Sequence, residues 1–398
     1  MRFAATCLFG LEKLLGEELD ALGVRRLQTI DGRVYFEGEP RDICRCNIGL
    51  RYAERVFIHV GSVDTDADNP FDALFEGVKA LPFEDYIGAE DTFTVNGHSV
   101  KSRLTSIPAC QSVIQKAIAE RLKSVYHKSW FDGGRCRFEV EFFILNNEAA
   151  LLIDTSGAAL HKRGYRPAGN AAPLRETLAA ALCRIARPRE DVLFWDPMCG
   201  SGTIPIEAAL MMSNTAPGLR RSFAAEAFPF LEEKLWKDER DAARAAVRAD
   251  CAFESYASDI DPACVELTRE NIRRAGMGKY IKAFERNALE ITTGGRRGTI
   301  VCNPPYGERM MTPEECARLY RQMGKHFATL DRWQIYILSS NEEFEKLYGR
   351  RADKVRKLYN GMLRCGFYQY FKPVDSVQSG QKPSGGQSAA PRKFDPRK

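Results

Sequence analysis

Two periods of apolar residues alternate along the 398-residue chain, and the switches between them mark its elements. Short alternating or continuous apolar runs bounded by turn residues predict strands over 1–7, 33–37, 53–60, 92–96, 135–145 and 148–154. The second of these follows an Asp-Gly turn, and the last two are joined across Asn146-Asn147. Apolar positions three and four residues apart predict helices over 8–22, 40–50, 71–81 and 107–125, with Gly23 stopping the first. Strands and helices interspersed in this way, without a strict βα alternation, describe an N-terminal α+β region whose first part, over 1–60, is of ferredoxin-like character.

The second half reads differently. The apolar run Val192–Trp195, a glycine-rich turn and the apolar stretch 204–212 form strand, turn and helix, the opening of a doubly wound α/β domain. Further strands are predicted at 255–259, ahead of Phe284, at 300–302 and at 333–340, and helices at 178–185 and 263–275. Asn360-Gly361, flanked by 354–359 and 362–371, predicts a closing hairpin. Between Met212 and Asp250 a stretch with Trp236 and a charged helical run is inserted, which delays the second strand. Past Pro373 the chain is rich in Ser, Gly, Gln, Pro and basic residues and is expected to be disordered.

Composition narrows the class. Hydrophobic residues make up 44% and charged ones 28%, an ordinary globular balance, and the net charge of +5 is too mild to name a partner by itself. No apolar run is long enough to span a bilayer and no signal peptide is evident, so a cytoplasmic protein is expected. The twelve cysteines lack paired C-x-x-C spacing; they are expected to be small buried hydrophobes and no metal site is expected.

Chemistry concentrates in two stretches. Asp196-Pro-Met-Cys-Gly-Ser-Gly-Thr203 turns tightly at Gly200 and Gly202. It has no Lys for a phosphate, and its acidic start suits a ligand with an amino group and hydroxyls, as S-adenosylmethionine has. Asn303-Pro-Pro-Tyr306 follows an apolar strand, where open α/β sheets place their active sites. Together these motifs resemble the amino-methylating class I methyltransferases. With the N-terminal half they are similar to the THUMP-containing RNA methyltransferases, most of all the bacterial large-subunit ribosomal RNA guanine-N2 branch, over about residues 1–372. The fold implied is a ferredoxin-like subdomain over 1–62, a THUMP domain over 63–158, a linker over 159–171, a Rossmann-like methyltransferase domain over 172–373 and a tail over 374–398.

The resemblance implies roles for particular residues. Asp196, Met198, Cys199, Gly200, Gly202 and Thr203 would hold S-adenosylmethionine; Asp259 would take its ribose hydroxyls, and Ile260 and Asn287 its adenine. Leu174 and Thr177, ahead of the glycine loop, would close over its methionine end. Many relatives carry an acidic residue where Asn287 stands. Asp261 before Pro262 reads as a helix cap instead. Asn303 and the Pro304 carbonyl would accept hydrogens of an exocyclic amine, Pro304 and Pro305 would stiffen the loop, and Tyr306 would stack on a flipped base. Residues 307–311 would form a lid. Lys101, Arg103, Lys116, Arg121 and Lys123 would contact structured RNA, either 23S ribosomal RNA or a large-subunit assembly intermediate, and Lys162, Arg163 and Arg166 beside Tyr165 would either do the same or belong to a linker docked on the catalytic domain. The catalytic loop by itself leaves guanine N2 and adenine N6 open. An N6-adenine DNA methyltransferase and a non-catalytic assembly protein are the rival readings, and no second methyltransferase domain is expected.

Overall fold

The computed structural model describes residues 1–128, 134–166, 174–306 and 311–371. These form two compact units that interleave in sequence. The first comprises residues 1–7, 12–161 and 217–245, and the second comprises 8–11, 162–216 and 246 onward. The inserted stretch therefore folds with the N-terminal half.

The first unit is built on one seven-stranded sheet. Its strands are β1 (Arg2–Cys7), β2 (Arg25–Ile30), β3 (Arg33–Glu37), β4 (Ala53–Asp64), β5 (Thr92–Val100), β6 (Arg137–Leu145) and β7 (Glu148–Asp154), in the order β2-β3-β1-β4-β7-β6-β5. The long strand β4 pairs with β1 through its first half and with β7 through its second. An expected boundary near residue 62 is thus crossed by a continuous strand. Gly61, which reads as a strand end, instead sits at a register shift between His59 and Gly61. Strand β2 escaped prediction because its side chains are mostly exposed and polar, so no apolar period marks it. Helices α1 (Glu12–Ala21), α2 (Pro40–Gly49), α3 (Pro70–Lys79) and α4 (Ile107–Tyr126) cover the sheet. Helix α1 starts later than its apolar period suggests, because Gly10 adopts a φ of 91° and residues 8–11 leave for the second unit.

The insertion joins this unit through specific contacts. The Gly218 N–H donates to the Ile48 carbonyl (2.9 Å) and the Ala225 N–H to the Thr155 carbonyl (3.0 Å), and the rings of Phe228 and Phe138 lie 4.5 Å apart. A Cβ at Gly218 would fall 2.7 Å from the Asn47 carbonyl oxygen, so the chain approaches here as only glycine can. Asn47 is itself buried, donating to Thr155 and accepting from Ser156.

The second unit is an open, twisted sheet of strands β8 (Leu193–Asp196), β9 (Ser255–Asp259), β10 (Ile281–Glu285), β11 (Gly298–Cys302), β12 (Trp333–Ser339), β13 (Lys354–Asn360) and β14 (Leu363–Tyr370), in the order β10-β9-β8-β11-β12-β14-β13. The first five run parallel, and β14 is antiparallel to both of its neighbours. Chain order reverses at β8, with β9 on one side and β11 on the other, which puts the crevice of a doubly wound sheet beyond their carboxyl ends. Phe284 lies inside β10, so Asn287 sits two residues beyond the strand end. Helices α5 (Glu176–Ala186), α6 (Thr203–Met212), α8 (Pro262–Ala275) and α9 (Pro313–Phe327), with the short α10 (Phe344–Tyr348), belong here, while α7 (Glu233–Ala245) lies in the insertion. A core of Trp195, Tyr256, Ile300, Tyr320, Phe344 and Tyr368 underlies the sheet on one face. Eleven of the cysteines are buried, as expected, and Cys264 is half-buried. No helix among the described residues is long and apolar enough to cross a membrane.

Candidate active site

At the end of β8 the glycine loop is shaped by its own backbone and by α8. Gly200 and Gly202 take φ values of 52° and 76°, in the left-handed region where a side chain is strained. The Cys199 N–H donates to the Ser258 carbonyl (3.0 Å), and the Gly202 N–H returns to the Cys199 carbonyl (2.7 Å). From α8, Thr268 Oγ1 donates to the Gly200 carbonyl and Asn271 Nδ2 to the Ser201 carbonyl, each at 2.9 Å. Sequence reading missed Thr268 and Asn271. Their signal was two polar residues three apart on the buried face of an otherwise amphipathic helix.

Two carboxylates flank this loop. Asp259, at the end of β9, accepts from the Gly200 N–H (2.9 Å) on one oxygen and from the Asp261 N–H (3.1 Å) on the other. Each oxygen keeps a lone pair, so the group is aimed and still able to accept a diol. Asp196 is 1% exposed and accepts from the Met198 N–H at 3.2 Å. Burial pushes its carboxyl well above the usual range, opposed by that N–H and reinforced by the charge of Asp259. A cationic amino group brought beside it would restore the ionised form. Asp261 caps α8 by accepting from the Ala263 N–H (2.9 Å), as its position before Pro262 predicts. Asn287 caps a single helical turn by accepting from the Leu289 N–H (3.0 Å), which leaves its amide nitrogen for a ligand. Ile260 is 67% exposed at the edge of the crevice, a position open to a flat ring. Leu174 and Thr177 are buried, Thr177 completely.

Past β11 the loop Asn303–Tyr306 is held from below. Tyr320 Oη donates to the Pro305 carbonyl (2.6 Å), and the partly buried Tyr306 donates its phenol to Asn303 Oδ1. Burial raises the Tyr306 phenol well above its ordinary pKa, so it stays a donor. No donor among the described residues takes the Pro304 carbonyl. Residues 307–310, most of the expected lid, lie outside the described residues.

For the basic segment after His161 the structure favours the docked linker over the RNA contact. Arg163 is not at an RNA surface: its side chain is 2% exposed and pairs with Glu207 of α6, which also accepts from Tyr165 Oη (3.1 Å). Arg166 donates to Glu176 (2.9 Å), to the Leu174 carbonyl (3.1 Å) and to Thr203 Oγ1 (3.3 Å). Both guanidiniums are taken up by buried carboxylates, because α5 and α6 each bury a Glu that needs a counter-charge. The rest of the expected linker, 167–171, lies outside the described residues.

This geometry can hold a ligand bearing an amine and a ribose beside a loop that presents amide and carbonyl acceptors. A family model described as RMKL-like, methyltransferase domain, matches residues 163–369, over half of the chain. The chain belongs to the RMKL-like methyltransferase family. A model of the RlmL ferredoxin-like domain matches residues 2–57 and one of the THUMP domain residues 69–154. YpsC of Bacillus subtilis, whose name assigns RNA methyltransferase activity provisionally, is 41% identical over 93% of this chain and 96% of its own. The ribosomal RNA large subunit methyltransferase K/L of Syntrophotalea carbinolica is 34% identical over 92% of this chain, which spans about half, 53%, of that relative. Among solved structures, SMU.472, provisionally classed as a methyltransferase and complexed with SAH, shares 36% identity and a TM-score of 0.88, covering 96% of this chain and 99% of its own.

Most of the other cations read as RNA contacts in this RMKL-like methyltransferase lie at the surface of the first unit. Lys101, Arg103, Lys116 and Lys162 are exposed, and the Lys116 ammonium lies 5.7 Å from the Phe75 ring centre. Arg103 donates to the Ala67 carbonyl at 2.7 Å. Lys123 stands 3.6 Å from Glu120, and Arg121 is engaged by both oxygens of Glu84, which leaves it the least available of the set. No group of three metal-ligating side chains occurs among the described residues.

Proposed function

We propose that this chain is an S-adenosylmethionine-dependent RNA methyltransferase that forms N2-methylguanosine in 23S ribosomal RNA. The observation that carries the reading is the Asn303–Tyr306 loop at the end of β11, on the same crevice edge as Asp196 and Asp259. The THUMP match and the name of the K/L relative support RNA, and ribosomal RNA in particular, as the substrate.

The crevice fits the methyl donor. Nothing lies within 4 Å of where a Cβ at Gly200 would stand, so the loop is open on that side, and the carboxylates of Asp196 and Asp259 supply acceptors for an amine and a diol. Leu174, Thr177, Met198, Cys199, Gly202 and Thr203 would complete the pocket, with Ile260 and Asn287 on the adenine. Bound there, the donor supplies an electrophilic methyl group on a sulfonium.

The remaining work is positional. An exocyclic amine is a weak nucleophile because its lone pair delocalises into the ring. Its hydrogens are accepted by Asn303 Oδ1, where the amine replaces the Tyr306 phenol, and by the Pro304 carbonyl. Tyr320 fixes the loop through Pro305, and the two prolines restrict its backbone. Tyr306, released from Asn303, offers its ring to the flipped base. Holding the nitrogen in line is the main catalytic contribution, and no side-chain nucleophile takes part. After the product amine leaves, the Tyr306 phenol returns to Asn303.

A methyl-transfer assay tests this with labelled S-adenosylmethionine, unmodified ribosomal RNA and unmethylated genomic DNA, followed by identification of the nucleosides by mass. N2-methylguanosine from RNA alone is the expected product. N6-methyladenine, from either nucleic acid, would overturn the choice of base.

A further inference from the structure

Hairpin β13–β14 closes the sheet of the second unit, and its charged side chains are all basic. Residues 354–371 contain four basic side chains, Lys354, Arg356, Lys357 and Arg364, and no acidic one. Elsewhere in the unit, exposed arginines are commonly paired, as Arg248 is with Glu190 and Arg273 with Glu270. None of the hairpin's four has a carboxylate partner among the described residues. Arg356 instead donates to the Gly10 carbonyl at 3.3 Å and so pins the turn 8–11 against the strand.

That turn brings an aromatic ring to the same place. Gly10 packs so closely that a Cβ would lie 3.1 Å from the Lys357 carbonyl oxygen, and Phe9 meets Tyr359 edge to face with ring centres 5.9 Å apart. Phe9 is nevertheless 51% exposed, and Met362 at the hairpin tip is 95% exposed. Lys357 lies 6.0 Å from the Tyr359 ring centre, and Arg364 stands directly across the ladder from Tyr359.

Charge on an edge strand has an ordinary purpose, to discourage pairing with other chains. That purpose needs no exposed aromatic ring and no exposed methionine beside the charges. Unpaired cations interleaved with accessible aromatic faces are what a single nucleic acid strand binds, its phosphates to the charges and its bases to the rings. The hairpin also lies close to the catalytic loop within the sheet, since β14 pairs with β12, the neighbour of the β11 strand whose end carries that loop.

We propose that hairpin β13–β14, with the turn 8–11 seated on it, is the surface by which the catalytic unit grips the RNA strand flanking the base to be methylated. Phosphates would be met by Lys357 and Arg364, and an unstacked base by Phe9. The proposal rests on the reading of RNA as substrate.

The test uses the full chain and a labelled transcript of large-subunit ribosomal RNA, with binding followed by fluorescence anisotropy across a salt series. K357E/R364E should weaken binding at least about tenfold and flatten the salt slope by about two, one for each phosphate that is no longer neutralised. Phe9→Ala should weaken binding at least about fivefold with the slope unchanged. Affinity for S-adenosylmethionine and the melting temperature should match wild type in both, which certifies the fold. Wild-type RNA affinity and slope in folded variants would overturn the proposal. So would a wild-type chain whose hairpin binds polyglutamate in preference to the transcript, which would make this a protein-docking face. If wild type binds the transcript through the hairpin but methylates only DNA, the surface stands and the functional reading fails. If wild type methylates RNA and the variants do so equally well, the surface alone fails.

Discussion

The Asn303 side chain has one acceptor oxygen and two claimants for it, the Tyr306 phenol in this structure and the substrate amine in the proposed reaction. Asn303→Ala should therefore lower kcat by at least about a hundredfold while calorimetric affinity for S-adenosylmethionine is unchanged. Tyr306→Phe keeps the ring and removes the competitor, so kcat should stay within about threefold of wild type. Tyr306→Ala, losing the stacking face, should cost at least about tenfold in kcat/KM for RNA. Gly202 is constrained from two sides, by its φ of 76° and by Thr268 Cγ2, which lies 2.8 Å from where a Cβ would stand. Gly202→Ala should cost about 1–3 kcal/mol in urea unfolding and weaken the methyl donor's binding. Asp154 supplies a pH dependence. Burial raises its carboxyl to about 6, despite Arg55 and the Ser156 N–H (2.8 Å) on its oxygens. Because the folded state holds this proton more tightly than the unfolded chain, the contribution is complete below about pH 4 and is lost as pH rises through about 6. The unfolding free energy of wild type relative to Asp154→Asn should fall by about 3 kcal/mol over that window. A flat difference would refute the assignment. At this scale the sequence disclosed the residue types of the site but not their partners. Nothing in Asn-Pro-Pro-Tyr announces that its ends hydrogen-bond to each other, or that Thr268 and Asn271 hold the glycine loop.

Among elements, α5 and α6 show how a motif can mislead. The run from Lys162 to Arg166 has the basic and aromatic composition of an RNA contact, yet composition does not report direction. Glu176 and Glu207 sit on helical faces that turn inward, and the two arginines follow them. Arg166→Ala leaves Glu176, 2% exposed, without its guanidinium and should cost about 3 kcal/mol by chemical denaturation. The double variant Arg166→Leu/Glu176→Leu should recover part of that loss, which a simple packing defect would not. Strands β8, β11 and β12 were legible because each is a short buried apolar run, and Asn360-Gly361 gave the hairpin outright. Helix α9 was not read at all. Its start is a capping box between Thr312 and Glu315, immediately after the residues expected to form a lid.

For the whole molecule, the expected succession of continuous domains gives way to two interleaved units. The insertion buries Phe223, Leu231 and Trp236 in the first unit, to 5%, 5% and 3% exposure. Its ends leave the second unit at adjacent points, where Asn214 donates to the Ala246 carbonyl (2.9 Å) and the Arg248 N–H to the Ser213 carbonyl (2.8 Å). A fragment beginning at residue 162 should therefore aggregate as it stands. It should become soluble, with a native near-ultraviolet spectrum, when 217–245 is replaced by a short Gly-Ser linker. Insolubility of both forms would show that the second unit depends on more than this segment. Sequence reading located the insertion from the delayed second strand, but its destination depends on long-range contacts such as Phe138 with Phe228, which no local pattern encodes. The interleaving also sets a timetable for biosynthesis. The N-terminal half has to wait, with Phe138 and Asn47 uncovered, until residue 245 has left the ribosome. At roughly 5–20 residues per second, translating 162–245 takes roughly 4–17 s. Over that interval a nascent chain of this enzyme needs shelter that a protein with consecutive domains would not.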